Sequence, residues 1–129
     1  MRFSAKGHPN IRATHKTTIE FTKEKEMHVR GDCIVGVDAD FDTDKLKEFV
    51  QQHDDVRILI KVEDISEEIY AKTNKIFADE KEIVIRMGEH ASTRTFAVRA
   101  DKAAKHLNRE MIERLQQGAK IEVQIEPVE

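Results

Sequence analysis

The sequence predicts a single α+β domain in which one long and one short helix cover one side of a curved, mostly antiparallel β-sheet. Several short segments alternate apolar and polar residues, the period of a strand with one buried face. Two other segments repeat apolar residues every three or four positions, as helices do. At 129 residues, 39% of them hydrophobic, the chain has the size of one ordinary domain, without an internal linker. A curved sheet of this kind could close in part into a barrel.

The chain is predicted to begin with two neighbouring strands. Residues 11–21 place apolar and small side chains at odd positions and polar ones at even positions. Residues 27–39 alternate in the same way, and Gly31 interrupts their apolar row. A glycine inside a strand is typical of a bulge or a close backbone approach. The polar residues 22–26 form the loop between the two strands.

The remaining elements include both helices. Asp42 or Thr43 can cap a short helix that runs to about residue 52. Asp101 is predicted to cap the longer helix, which ends at Gly118, where a left-handed residue belongs. The other predicted strands are 56–62, 82–87, 93–99 and 121–125, and the turn between the second and third contains Gly88.

Composition excludes several classes of protein. The net charge is −3, from 22 basic and 25 acidic residues, which argues against a dedicated duplex-binding domain without excluding a local basic patch. Cys33 is the one cysteine of the sequence, which excludes an internal disulfide and favours a reducing compartment. The sequence shows neither a signal peptide nor an apolar run of the roughly 20 residues that a membrane helix needs. We therefore expect a soluble, cytoplasmic protein.

The first two strands predict a chemical site if they pair as an antiparallel hairpin. A five-residue loop between them places His15 opposite Cys33, on the face that carries both apolar rows. An imidazole beside a thiol can lower the thiol pKa and create a nucleophile. His15, Cys33, His8 and Asp32 are therefore the candidate catalytic residues. The alternative is structural, with Cys33 a small buried hydrophobe and His15 a hydrogen-bonded core histidine.

A second polar group is predicted to bind an anion. Arg94 and Thr95 belong to a hydroxyl-rich stretch, and Asp101 and Lys102 follow it closely. Side chains of these types can hold a phosphate or a carboxylate. The sequence has no glycine-rich phosphate loop, and the alternative is edge-strand polarity followed by a helix cap.

No metal is predicted, and the sequence does not reveal whether a cofactor is bound. The candidate catalytic residues are ligand types, but they lack the close spacing of a typical zinc site. Alternate aspartates from Asp38 to Asp44 resemble the start of a calcium loop. The pattern then fails, because Thr43 stands where the loop needs glycine and Phe49 where it needs glutamate. These carboxylates are better explained as a solvated turn before a helix N-terminus.

Several short motifs occur in a specific order along the chain: Gly7-His8-Pro9-Asn10-Ile11, His15, Thr17-Thr18, Gly31-Asp32-Cys33-Ile34-Val35-Gly36-Val37, Arg94-Thr95 and Ala100-Asp101-Lys102-Ala103-Ala104. Together, from about Ser4 to Glu126, they resemble domain of unknown function family 371. The resemblance implies a cytosolic archaeal protein and implies no activity. Residues 66–77 fit a helix and a strand by pattern, and the resemblance favours a strand over 68–73. Here the chain departs from the family pattern, with Tyr70-Ala71-Lys72-Thr73-Asn74 in place of glycines and a histidine-proline.

Three hypotheses about function follow. The first is a small enzyme or small-molecule-binding protein that takes an anionic ligand at a His/Cys site on one sheet face. The second is a non-catalytic RNA- or protein-binding module, in which Arg12, Thr14, Lys16 and Thr18 meet phosphates, although the sequence lacks an aromatic cluster for base stacking. The third is a homo-oligomer formed by pairing of exposed sheet edges.

Overall fold

The computed structural model describes residues 1–27 and 32–128, and in this part of the chain eight strands form one sheet beside two α-helices. The elements, in chain order, are β1 (Arg2–Lys6), β2 (Thr18–Thr22), β3 (Ile34–Gly36), α1 (Thr43–Gln52), β4 (Asp55–Val62), β5 (Ile65–Thr73), β6 (Glu82–Arg86), β7 (Thr95–Val98), a 3-10 turn (Ala104–His106), α2 (Arg109–Gln116) and β8 (Lys120–Pro127). Both α-helices, of ten and eight residues, are too short to cross a membrane.

The sheet is mixed, with the strand order β1-β8-β4-β5-β7-β6-β2-β3. Its pairs are antiparallel except β2 with β3 and β6 with β7, which are parallel. The two ends of the sheet meet at one isolated bridge, where Lys6 and Val37 exchange backbone hydrogen bonds of 2.8 and 2.9 Å. The α+β class is therefore confirmed, and the sheet curls without becoming a closed barrel.

Strand β2 is buried on both faces, unlike the one-sided strand that its alternation predicts. Ile19 and Phe21 belong to the hydrophobic core. Thr18, Glu20 and Thr22 face the other way and are also buried, each at most 5% exposed. A polar side chain on this second face is therefore removed from water and needs a partner inside the protein.

The predicted hairpin of the first two strands is wrong. Residues 11–17 form a loop, in which Ala13 takes a left-handed conformation with φ of 50°. The amides of Thr14 and His15 both donate to Asp32 O, at 3.0 and 3.2 Å. Ile11 and Ala13 are fully buried, so their apolar character reflects packing of a loop instead of a strand face. Strand β1, at the very start of the chain, was not predicted.

The second strand of the predicted hairpin, residues 27–39, appears in the described residues as the short strand β3, Ile34–Gly36. It runs parallel to β2, and Glu20 pairs with Ile34 across the ladder. An antiparallel register between the two segments is therefore excluded. Residues 28–31 of the predicted second strand, with the bulge expected at Gly31, lie outside the described residues.

The short helix is confirmed, and the long one is confirmed in its C-terminal half but begins later than predicted. Asp42 caps α1, because its Oδ1 accepts from the amides of Asp44 and Lys45 at 3.0 and 3.2 Å. The longer segment divides into the 3-10 turn and α2. Asn108 begins α2 by accepting from the Glu110 and Met111 amides at 2.8 and 3.1 Å, and a side-chain cap of this kind fixes where a helix starts.

The segment that fitted both a helix and a strand forms β5, so the preference given by the resemblance is confirmed. Strands β4, β6, β7 and β8 also lie within a few residues of their predicted bounds. Gly118 follows α2 with φ of +92°, the left-handed conformation expected after a helix.

Candidate functional site

A buried glutamate lies near one end of the sheet, on the face of β2 that points away from the core. Glu20 is 5% exposed and stands between β6 and β3, opposite Val84 on one side and Ile34 on the other. Carboxyl groups are almost never buried this deeply unless they are paired. The neighbours of Glu20 are therefore the natural starting point for a functional site.

Two side chains contact this carboxyl group, and a third is linked to it through Arg94. Cys33 Sγ donates to Glu20 Oε1 at 3.8 Å, and Arg94 Nη2 lies 3.4 Å from the same oxygen. Arg94 Nη1 also donates to Glu82 Oε2 at 2.8 Å. We call Glu20, Cys33, Glu82 and Arg94 the glutamate cluster. Its cation is 44% exposed while Glu20 is 7% exposed at the side chain, so Arg94 bridges solvent and the buried acid.

Burial makes Glu20 a weak acid. The pKa of Glu20 is raised from its ordinary value of 4.5 to about 7. Loss of solvation on burial is the larger cause, and the negative charge of Glu82 is the second. Arg94, the Cys33 hydrogen bond and Arg86 act in the opposite direction and are outweighed. Near neutral pH the carboxyl group is therefore divided between its protonated and ionised forms, which is the condition a proton-exchanging group needs.

The thiol of Cys33 is shifted away from the reactive state. Burial, followed by the charges of Glu20 and Asp32, raises the pKa of Cys33 from 9.0 to about 11. A thiol is nucleophilic as the thiolate, so at neutral pH Cys33 acts chiefly as a neutral hydrogen-bond donor.

Alkylation of Cys33 is expected to be slow at neutral pH and to accelerate only as the pH approaches about 11, because the rate follows the thiolate fraction. The rate with iodoacetamide across pH measures this directly. His15→Ala should leave the profile unchanged, while Glu20→Gln should move it to lower pH by removing a negative charge. A profile with an apparent pKa below the ordinary 9.0 would contradict the assignment.

Threonine 95 supports the cluster from β7. It is fully buried, and its Oγ1 accepts from Arg86 Nε at 3.1 Å and from the Ser92 amide at 3.3 Å. Arg86 contributes to the potential at Glu20. Thr95, predicted to contact a ligand, is thus buried beside the cluster. Its hydroxyl group holds the Arg86 guanidinium, whose charge acts on Glu20.

The predicted partnership of His15 and Cys33 is not what the geometry shows. The Nδ1 of His15 accepts from the Thr17 amide at 3.2 Å, within its own loop, while the Cys33 thiol faces Glu20. His8 lies 3.4 Å from Glu26 through Nε2 and accepts from the Asn10 amide through Nδ1. Catalytic roles for His15, Cys33, His8 and Asp32 stay predictions. The antiparallel strand register that suggested the His15–Cys33 pair is absent from the part of the chain that the structure describes.

Asp101 and Lys102 contact the open edge of β5, and their predicted role in anion binding stays a prediction. Tyr70 N donates to Asp101 Oδ1 at 3.1 Å, and Lys102 Nζ donates to Glu68 O at 2.5 Å. β5 pairs with β7 only at Lys72 and Thr73. The two side chains thus satisfy backbone groups that a neighbouring strand would otherwise use, which protects the edge from pairing with another chain.

Sequence reasoning missed Glu20 and Glu82, because Glu20 was assigned to a solvated polar face with Arg12, Thr14 and Lys16. A signal was available in the neighbouring strand. Residues 83–85 are apolar on both faces and buried, which is typical of a strand covered on both sides. Within residues 1–27 and 32–128, no group of three or more His, Cys, Asp or Glu side chains could hold a metal ion.

Comparison with known proteins identifies the family. The family described as a domain of unknown function, DUF371, matches residues 3–128. An uncharacterized protein from the archaeon Methanocaldococcus jannaschii is 37% identical to this chain over 123 residues, which cover 91% of each sequence. With nearly its whole length matched, and with a full-length relative well above 30% identity, the chain belongs to the DUF371 family.

Proposed function

We propose that this chain is a small-molecule-binding protein that takes a small carboxylate or phosphate anion at the glutamate cluster. The observation that carries this is the geometry of Arg94, a half-exposed guanidinium that is held between a surface carboxylate and a buried one. Arginine in such a position recognises planar or tetrahedral anions well.

Protonation of Glu20 prepares the cluster for an anion. When Glu20 is protonated, the charges of Arg94 and Glu82 cancel and the cluster has no net charge. The carboxylic acid O–H, the thiol S–H and the guanidinium N–H groups are then all hydrogen-bond donors. With Glu20 ionised, the cluster carries a net negative charge, and its buried carboxylate competes with the ligand for Arg94 Nη2. Anion affinity should therefore fall as the pH rises through about 7.

If the bound molecule reacts, Glu20 is the group best suited to the chemistry. A carboxyl group with a pKa near neutrality serves as a general acid or base. The weakly acidic thiol of Cys33 supports a donor role more than a nucleophilic one. As part of the same proposal we place the protein in the reducing cytoplasm of an archaeon, where an unpaired cysteine persists.

Titration with acetate and with inorganic phosphate, followed by amide chemical shifts at about pH 6 and about pH 8, tests the proposal. The wild type should bind acetate more tightly at the lower pH, by up to about tenfold, because the protonated fraction of Glu20 falls about tenfold between these pH values. Glu20→Gln should bind acetate with equal affinity at both pH values, and Arg94→Gln should lose most of the affinity for both anions.

Arg99→Gln is the matched control, because Arg99 pairs with Glu89 at the surface and not with the cluster. It should bind as the wild type does. Equal affinity of Arg94→Gln and the wild type, or the absence of shifts around Glu20 at both pH values, would refute the proposal.

A further inference from the structure

An open groove of about 790 Å³ lies away from the glutamate cluster and shares no residue with it. It runs between the start of α1 and three adjacent strands, β1, β8 and β4. The volume is in the range of pockets that hold small molecules. Its lining contains four acidic and four basic side chains, so the state of each charge determines what the groove attracts.

The carboxylates of the groove already have partners. Asp40 Oδ1 accepts from the Ser4 amide at 2.6 Å, and Asp42 caps α1. Glu122 lies 3.1 Å from Arg2, and Glu63 lies 3.7 Å from Arg114, which is outside the groove. Each of these carboxylates is therefore already engaged, by a backbone amide, by a helix N-terminus or by an arginine.

The lysines of the groove are in the opposite situation. Lys45 on α1, Lys61 on β4 and Lys120 on β8 are exposed and line the groove. None of them forms an ion pair within 4.0 Å with a carboxylate of residues 1–27 or 32–128. Three ammonium groups from three elements thus line one space without a direct ion-pair partner in the described chain. The apolar lining residues Phe3, Phe41 and Leu46 are buried and offer little surface, so charge dominates recognition.

We propose that this groove binds a small molecule that carries two or more phosphate or carboxylate groups. One anionic group would leave most of the lysine charge unmet, whereas a multiply charged ligand can contact all three ammonium groups. Lysine is a strong phosphate-binding residue as a point charge.

Calorimetric titration at low ionic strength with inorganic tripolyphosphate and, separately, with citrate tests this. The two probes distinguish a polyphosphate from a polycarboxylate ligand. Lys45→Gln, Lys61→Gln and Lys120→Gln should each weaken binding of the preferred probe by roughly tenfold, the value of one charge-assisted hydrogen bond, and the triple variant should abolish it. Glu20→Gln should leave it unchanged.

The matched control is a triple variant at exposed lysines outside the groove, Lys16→Gln, Lys47→Gln and Lys81→Gln. It changes the net charge by the same amount and should retain nearly all the affinity. If both triple variants lose affinity equally, the attraction is non-specific and no groove site exists. Failure of both probes to bind the wild type overturns the groove proposal as well, whereas the glutamate cluster is tested separately with acetate and inorganic phosphate.

Discussion

Replacement of Gly7 by alanine is expected to lower the free energy of unfolding by about 3 kcal/mol, at the upper end of overpacking costs. A Cβ atom at this position would lie 2.0 Å from the carbonyl oxygen of Leu115 and 2.8 Å from its Cα. Both are backbone atoms of α2, so no side-chain rotation relieves the clash. The Gly7 amide also donates to Ala119 O at 2.8 Å, which prevents the two segments from separating freely.

Gly88→Ala is the matched control, because a Cβ at Gly88 would have no atom within 4 Å. Urea denaturation of both variants gives the comparison, since the midpoint shift at constant slope reports stability. Gly88→Ala should be nearly neutral. Equal stability of the two variants would contradict the close packing of residue 7 against α2. The same contact gives a physical reason for the glycine that begins Gly7-His8-Pro9-Asn10-Ile11.

Glu20→Gln is expected to remove a pH dependence of stability. The pKa of Glu20 is higher in the folded state, about 7, than the ordinary 4.5 of an unfolded chain. A group raised in this way contributes its stability fully below 4.5 and loses it as the pH rises through about 7. The total change is about 3 kcal/mol, from the pKa difference at 1.36 kcal/mol per unit. This is an upper value for a group beside an exposed arginine.

Glutamine cannot ionise, so the variant should match the wild type near pH 4 to 5 and exceed it in stability above pH 7. Denaturant unfolding across pH measures the difference. Glu113→Gln removes a carboxylate from the exposed side of α2 and serves as the control for the loss of one acidic side chain. A Glu20→Gln curve parallel to that of the wild type would show that the buried carboxyl group is not destabilised by ionisation.

The elements that sequence patterns located correctly are those whose signals are local. The cap at Asp42, the alternation of β4 and the left-handed Gly118 are each set by neighbours in the chain. The first hairpin failed because its pairing depended on strand direction. Hydrophobic alternation reports which face is buried and carries no information on whether two strands run parallel.

The candidate site was also predicted only in part, because local patterns do not show which strands cover a residue. Cys33 and Arg94 were recognised by side-chain chemistry, and both lie in the glutamate cluster. Their partner Glu20 was missed, because a charged residue in an alternating strand normally faces water. It is buried here because β2 lies between β6 and β3 and is covered on both faces. Asp101 and Lys102 were assigned to a ligand, since sequence does not reveal an unpaired strand edge beside them.

A carbon-13 titration of the Glu20 side-chain carboxyl group tests the central claim most directly. An apparent pKa near 7 is expected in the wild type, with a decrease in Glu82→Gln, which removes a neighbouring negative charge, and an increase in Arg94→Gln. A wild-type pKa near the ordinary 4.5, unchanged by either substitution, would show that neither burial nor these neighbours perturb Glu20. It would contradict the site proposed around this residue.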